Sequence, residues 1–183
     1  MKNNYLNLFI SLIFCSCTSI VQSNLKRTPP HFQAVERTPL GQTKDEIIKL
    51  LGEPSESGTW IVLKKAYDSL EYKNSDQYNS QRATFILDPN KKIAISKTFI
   101  PTENELENSI KHLTEVTFKD LSFVNISRPH CNLHYPRSDA FLINYESGIL
   151  IGYYKSSVEV TGISWMSKND LAEMIEKMKK CEN

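Results

Sequence analysis

The chain has 183 residues, 40% hydrophobic and 23% charged, with 22 basic and 21 acidic side chains for a net charge of +1. That length and composition fit one soluble globular domain or two small ones. A chain so close to neutral has no strong pull toward nucleic acid or an anionic membrane surface. It also lacks a basic patch with interleaved aromatics, so nucleic acid is set aside as a partner.

The first element is "MKNNYLNLFISLIFCSC". One lysine, Lys2, precedes an apolar run from Leu6 to Cys15. A run this short cannot span a bilayer, which needs roughly 20 residues. Its order of basic residue, apolar block and small polar residues is that of a signal peptide over residues 1–16. Removing Lys2 with it leaves a neutral chain. "FCSC", Phe14 to Cys17, resembles the lipobox of bacterial lipoproteins, with Ser16 as the small residue before the cut and Phe14 where leucine is usual. The resemblance implies that Cys17 becomes an acylated first residue, palmitate among its lipids. Each buried methylene would then contribute about 0.8 kcal/mol to anchoring. Thr18 follows, not aspartate, which by the sorting pattern of such proteins implies the periplasmic face of the outer membrane. Ordinary cleavage after Ser19 or Ser23 is the alternative, giving a periplasmic or secreted protein.

Cys131 and Cys181 remain once Cys15 and Cys17 are set apart. An even pair in an exported chain suggests one disulfide, and closing a loop of about 50 residues would stabilise by roughly 4 kcal/mol. Two free thiols are the other reading. Residues 17–40 contain Pro29, Pro30 and Pro39 without sustained periodicity. They read as a tether able to reach about 75 Å when extended.

The next stretch, "GQTKDEIIKLLGEP" from Gly41 to Pro54, reads as a complete helix. Thr43 and Glu46 form a capping box, Ile47, Ile48 and Leu51 share a face, Gly52 suits the left-handed cap, and Pro54 stops continuation. Thr102 with Glu105, ahead of Leu106, Ile110 and Leu113, and Ser167 with Asp170, ahead of Leu171, Met174, Ile175 and Met178, repeat that syntax. Between them lie strand-like runs. Thr59 to Lys73 is one β-rich stretch. "RATFILD" and "KKIAISKTFI" flank an Asp88-Pro89-Asn90 turn. "VTFKDLSFVNIS", "DAFLINY", "GILIGYY" and "VEVTGISW" follow, with a turn at Glu146-Ser147-Gly148. Matching Thr43 to Thr102 and Phe85 to Phe141 suggests an internal repeat of one helix and about three strands.

Gly41, Thr43, Ile47, Leu51, Gly52 and Pro54 resemble the start of the SmpA/OmlA (BamE-like) family of outer-membrane lipoproteins, over about residues 38–100. The resemblance implies an α+β fold, with short capped helices packed on antiparallel sheet. Two tandem helix-plus-three-strand units would resemble the β-lactamase-inhibitor-protein fold. The domains expected are a BamE-like unit over 41–100 and a second α+β unit over 101–183 that ends in a helix. Gly41, Thr43, Leu51, Gly52 and Pro54 are structural in this reading.

"RPHCNLHYPR" places His130, Cys131 and His134 within five residues. A zinc site needs three or four ligands, and no second cluster is evident. A Cys131–His134 dyad has suitable atoms but no oxyanion or orienting motif. No phosphate loop, nucleophile elbow or dinucleotide fingerprint occurs. Hence no metal, cofactor or catalytic residue is expected. Tyr72 and Tyr78 are the candidate interface residues, since tyrosine is enriched at binding surfaces, although it is equally at home on strands. The expected role is non-catalytic. The protein would bind or stabilise cell-envelope proteins, β-barrel assembly components among them, with a protein inhibitor of an enzyme as the alternative.

Overall fold

The structure, a computed structural model, describes residues 29–62, 65–73, 81–102, 109–127 and 138–180. The described chain opens with a helix that sequence periodicity missed, α1 (Phe32–Arg37), which buries Phe32 and Val35. The Phe32 ring meets Phe99 and Phe118 edge-on at 5.4 and 6.3 Å and Trp165 at 6.0 Å. Residues 32–37 of the expected tether thus pack on the core through two apolar side chains spaced one turn apart, while residues 17–28 lie outside the described residues.

Helix α2 (Lys44–Leu51) follows with its capping box complete: Thr43 accepts from Glu46 N–H, and the Glu46 carboxylate accepts from Thr43 N–H at 2.8 Å. Ile47 is fully buried, Leu51 packs at the core margin and Leu50 faces solvent. Gly52 ends the helix at φ 83°. Gly41, at φ 88°, donates its N–H to Ala94 O (2.8 Å), so the residues before α2 lie against the sheet.

The sheet has eight antiparallel strands in the order β1-β2-β3-β4-β8-β7-β6-β5. β1 (Glu56–Val62) and β2 (Lys65–Lys73) divide the single run expected from Thr59 to Lys73. β3 (Arg82–Leu87) and β4 (Ala94–Ile100) flank the expected turn, where the Asp88 carboxylate accepts from Asn90 and Lys91 N–H. β5 (Val124–Ser127), β6 (Ala140–Asn144), β7 (Ile149–Tyr153) and β8 (Val160–Met166) complete it.

The expected fold class is corrected by this sheet. The chain is not two helix-plus-three-strand units of α+β type; it is mostly sheet, one continuous eight-stranded sheet with short helices. Two local causes are visible. β1 and β2 are a hairpin rather than one strand. Of the second expected helix, the described residues show α3 (Ile110–His112), which continues as a π-type turn over Leu113–Thr117. Thr114 Oγ1 bonds back to the carbonyls of Ile110 and Lys111, and such back-bonding with neighbouring β-branched residues weakens a helix. Glu105 of the expected cap lies outside the described residues.

An internal repeat is present, in a different register from the expected one. Thr43 bridges Ile93 as Ser109 bridges Glu159, and each pair is 66 residues from its counterpart. Lys92 and Val158, the two non-glycine residues at positive φ among the described residues, keep that offset. So do the bulges at Ile86/Leu87 and Gly152/Tyr153. β4 and β8 share one burial pattern, with Ala94, Lys97 and Phe99 answering to Val160, Ile163 and Trp165. Each repeat is thus a helical turn plus a four-stranded meander, and the two join through β4 and β8 (Thr98 opposite Ser164). The capping pattern makes Thr102 the counterpart of Thr43; the bridges make it Ser109, which has no side-chain cap bond.

One face of the sheet, the helical face, carries α1, α2 and α3 over Leu70, Tyr72, Phe85, Phe99, Ile151, Ile163 and Trp165. The other carries α4 (Lys168–Lys180), whose Leu171 and Ile175 cover Phe141, Ile143 and Leu150. Its start is the expected Ser167–Asp170 cap, with Asp170 N–H donating to Ser167 Oγ. β7 lies between both helical layers and is buried at every residue. This accounts for its unbroken apolar sequence.

Candidate functional site

Strand alternation sorts the side chains of the α4 face. Pairing sets Trp60 opposite Tyr67, Ser69 opposite Ile86, Ile86 opposite Ser96, and Ser96 opposite Met166, so these residues share it. α4 covers the second repeat on this face, and its flank borders the first. Between that flank and β2–β4 lies a groove of about 190 Å³. Tyr67, Ile86, Ile95, Met166 and Met174 supply its apolar lining, and Ser96 adds a hydroxyl. Lys65, Asp170, Glu173 and Lys177 add two charges of each sign. The Lys177 ammonium bonds the Glu173 carboxylate, and that bond first, then the charges of Lys177 and Lys65, hold Glu173 below the usual carboxylate range.

The groove is smaller than the roughly 300–1,000 Å³ of small-molecule pockets. Its two methionines are adaptable apolar side chains, and of its four charged groups Lys177 and Glu173 pair with each other.

Farther along the same face, β1–β3 carry a ladder of charges. Lys73 Nζ bonds Glu56 at 2.9 Å and approaches Glu71 at 3.5 Å, while Arg82 bonds Glu71 at 3.0 Å. The bond to Lys73 lowers the Glu56 pKa, and the bond to Glu56 raises that of Lys73. These groups satisfy one another, so this end of the face is polar and self-paired.

The helical face holds a buried cation that sequence reading passed over. Lys97 is 3% exposed at a position where the other repeat has isoleucine. Its ammonium donates to the carbonyls of Val35, Glu36 and Thr38 at 2.7, 2.6 and 2.7 Å, and sits 4.9 Å from the Trp165 ring centre. All three N–H bonds are used on the C-terminal end of α1, where helix carbonyls lack intrahelical donors. Burial pushes the Lys97 pKa down to about 8, with the Glu36 carboxylate opposing. The site is a clamp holding α1 to the sheet. A lysine in an otherwise apolar strand pattern was its one sequence signal.

Of the expected site residues, Tyr72 is corrected. It is 3% exposed, because alternation turns it to the helical face, where it packs edge-on against Phe85 and donates its hydroxyl to Gly52 O at 3.0 Å. Burial, then the Glu53 charge, pushes its pKa up to about 12. Tyr67 and Trp60, five and twelve residues earlier, hold the more exposed positions on the groove face. Thr43, Leu51, Gly52 and Pro54 lie at the two ends of α2, with Pro54 buried. Cys17, Cys131, Cys181, His130, His134 and Tyr78 lie outside the described residues. Among the described residues no three His, Cys, Asp or Glu side chains are grouped to hold a metal, and no helix is long and apolar enough to cross a membrane. No family model, curated protein or solved structure matches the chain.

Proposed function

We propose that the chain is a non-catalytic protein-binding module of the bacterial cell envelope. It would be held through lipid on Cys17 at the periplasmic face of the outer membrane, and would bind envelope proteins in the groove beside α4. The observation that carries the binding reading is that groove, apolar in its lining, ringed by charges of both signs and small for a metabolite. The location rests on the N-terminal signal-peptide pattern and the lipobox resemblance. The SmpA/OmlA resemblance of Gly41 to Pro54 supports an envelope role and, with it, β-barrel assembly components as partners.

The test is a photo-reactive amino acid placed at Tyr67 or Met174 in the full chain expressed in bacteria. A discrete envelope protein should be captured at both positions and not at exposed Lys155. It should vanish when Ile95→Arg or Met166→Arg fills the groove. Equal capture at Lys155, or capture unaffected by either arginine, refutes the groove as the binding site. The intact mass of the membrane-bound form tests the anchor: an acylated N-terminus at Cys17 is expected. A plain N-terminus at Ile20 or Asn24 would refute it.

A further inference from the structure

Among the described residues nothing covers β1 over Glu56–Ile61 on either face or along its outer edge. Every side chain from Glu56 to Ile61 is exposed. Trp60 and Ile61, on opposite faces, are 44% and 73% exposed. Among the described residues no strand lies beyond β1 in the sheet. Free edges in natural proteins carry lysine, proline or a bulge against unwanted pairing. β1 has no lysine, arginine or proline in seven residues, and its pairing with β2 is unbroken.

We infer that β1 pairs antiparallel with β1 of a second copy of this chain, in the register centred on Thr59. The strand is self-complementary in that register. Thr59 faces Thr59, a favoured cross-strand pair. Trp60 faces Gly58 twice, on the groove face. A Cβ at Gly58 would meet only Ser69 Oγ, at 4.0 Å, so the bare position leaves room for the partner's indole, and aromatic rings over strand glycines stabilise sheets. Glu56 falls opposite Val62, so no like charges meet.

The fold already contains this type of joint. Its two repeats meet through antiparallel equivalent strands, β4 and β8, with α2 and α3 on the same face. Pairing through β1 extends the sheet across two chains and sets two grooves on one side of it. A foreign extended peptide could use the edge, but self-complementarity about Thr59 favours a second copy.

Sedimentation of the full chain over a concentration series tests the inference. The expected result is a mass twice that of the chain, with dimerisation weakened at least tenfold by Thr59→Lys, which sets two like charges face to face. Thr59 is exposed, so the variant should keep the parent's far-ultraviolet dichroism, and its melting temperature should equal the parent's at concentrations where both are monomeric. The register is read by mild oxidation. Thr59→Cys should give a 59–59 disulfide on peptide mapping, because opposed Cα atoms about 4.5–5.5 Å apart suit that bond. Ser57→Cys should not, since its two copies would lie about 13 Å apart. A chain monomeric at sub-millimolar concentration overturns the inference. So does a dimer indifferent to Thr59→Lys, a crosslink at Ser57→Cys but not Thr59→Cys, or a monomer that takes up an extended peptide at β1 instead.

Discussion

Lys97→Met removes the cation of the α1 clamp and keeps most of its aliphatic length. Three carbonyls lose a donor, but not equally. Val35 O still accepts from Thr38 N–H at 3.2 Å, so the loss falls mainly on Glu36 O and Thr38 O. Leaving a buried carbonyl unsatisfied costs about 1–3 kcal/mol, and losing the ammonium over Trp165 costs about 1 kcal/mol more. Against this, the variant no longer desolvates a charge. A net loss of about 3 kcal/mol is expected from the two orphaned carbonyls and the lost ring contact, less the relieved desolvation. For a chain of this size that lowers Tm by about 6–12 °C, measured by calorimetry at pH 7. The pH dependence supplies a second reading. Lys97 titrates near 8 when folded, below its ordinary 10.5. Between those values the unfolded chain binds a proton that the folded chain has shed, so parent stability rises with pH through this window. The Tm gap between parent and variant should therefore widen from pH 8 to pH 10. A variant melting within 2 °C of the parent at pH 7, or a gap constant over that range, refutes the clamp.

Gly148→Ala should cost about 2–4 kcal/mol, because residue 148 has φ 67° and a Cβ there would fall 2.0 Å from Met166 O. Gly41→Ala, at φ 88° with nothing within 4 Å, should cost only about 1–2 kcal/mol; equal losses in urea unfolding would contradict this account. Tyr72→Phe should cost about 1 kcal/mol through the bond to Gly52 O. The Tyr72 pKa is raised from 10 to about 12, so its contribution is complete below pH 10 and is lost as pH rises through 12; a Tyr72→Phe chain with the parent's alkaline unfolding profile would rule that out. Thr43→Ala should cost about 1 kcal/mol through the capping box; the Glu46 pKa, lowered first by the residue-43 N–H bond and then by the Thr43 hydroxyl, should rise only partway on carbon-13 titration, because the N–H bond remains.

Local grammar was legible where one residue type has one use. Thr43, Glu46, Gly52 and Pro54 mark α2, Ser167 and Asp170 mark α4, and Asp88 marks a turn, because caps and turns depend on nearest neighbours. What failed was long range. Residues 59–73 read as one strand because no glycine or proline interrupts them; their reversal becomes visible only in the pairing of β1 with β2. The repeat register is hidden from local pattern because a cap is the stronger local signal, and at the 66-residue offset the second repeat keeps bridge, bulge and positive φ but no side-chain cap. Tyr72 resembles a surface tyrosine until strand phase is known; Tyr67 has the opposite phase. The groove joins β2, β3, β4, β8 and α4, and no local pattern spans that distance.

The two repeats differ in ways that bear on how the chain works. In the second, the central buried residue of the last strand is Ile163, packed in an apolar layer. In the first it is Lys97, and its cation fixes α1, which has no counterpart at the 66-residue offset. α4 likewise covers the second repeat and leaves the first bordered by the groove. The departures from symmetry thus fall on opposite faces. Lys97 and Phe32 pin the segment nearest the proposed lipid anchor to the helical face, while Tyr67, Met166 and Met174 lie on the other. An apolar residue at position 97 would spare the chain the desolvation of a charge but would leave α1 without its clamp. The cost of desolvating a lysine there makes sense if the entry point of the N-terminal segment must stay fixed relative to the groove.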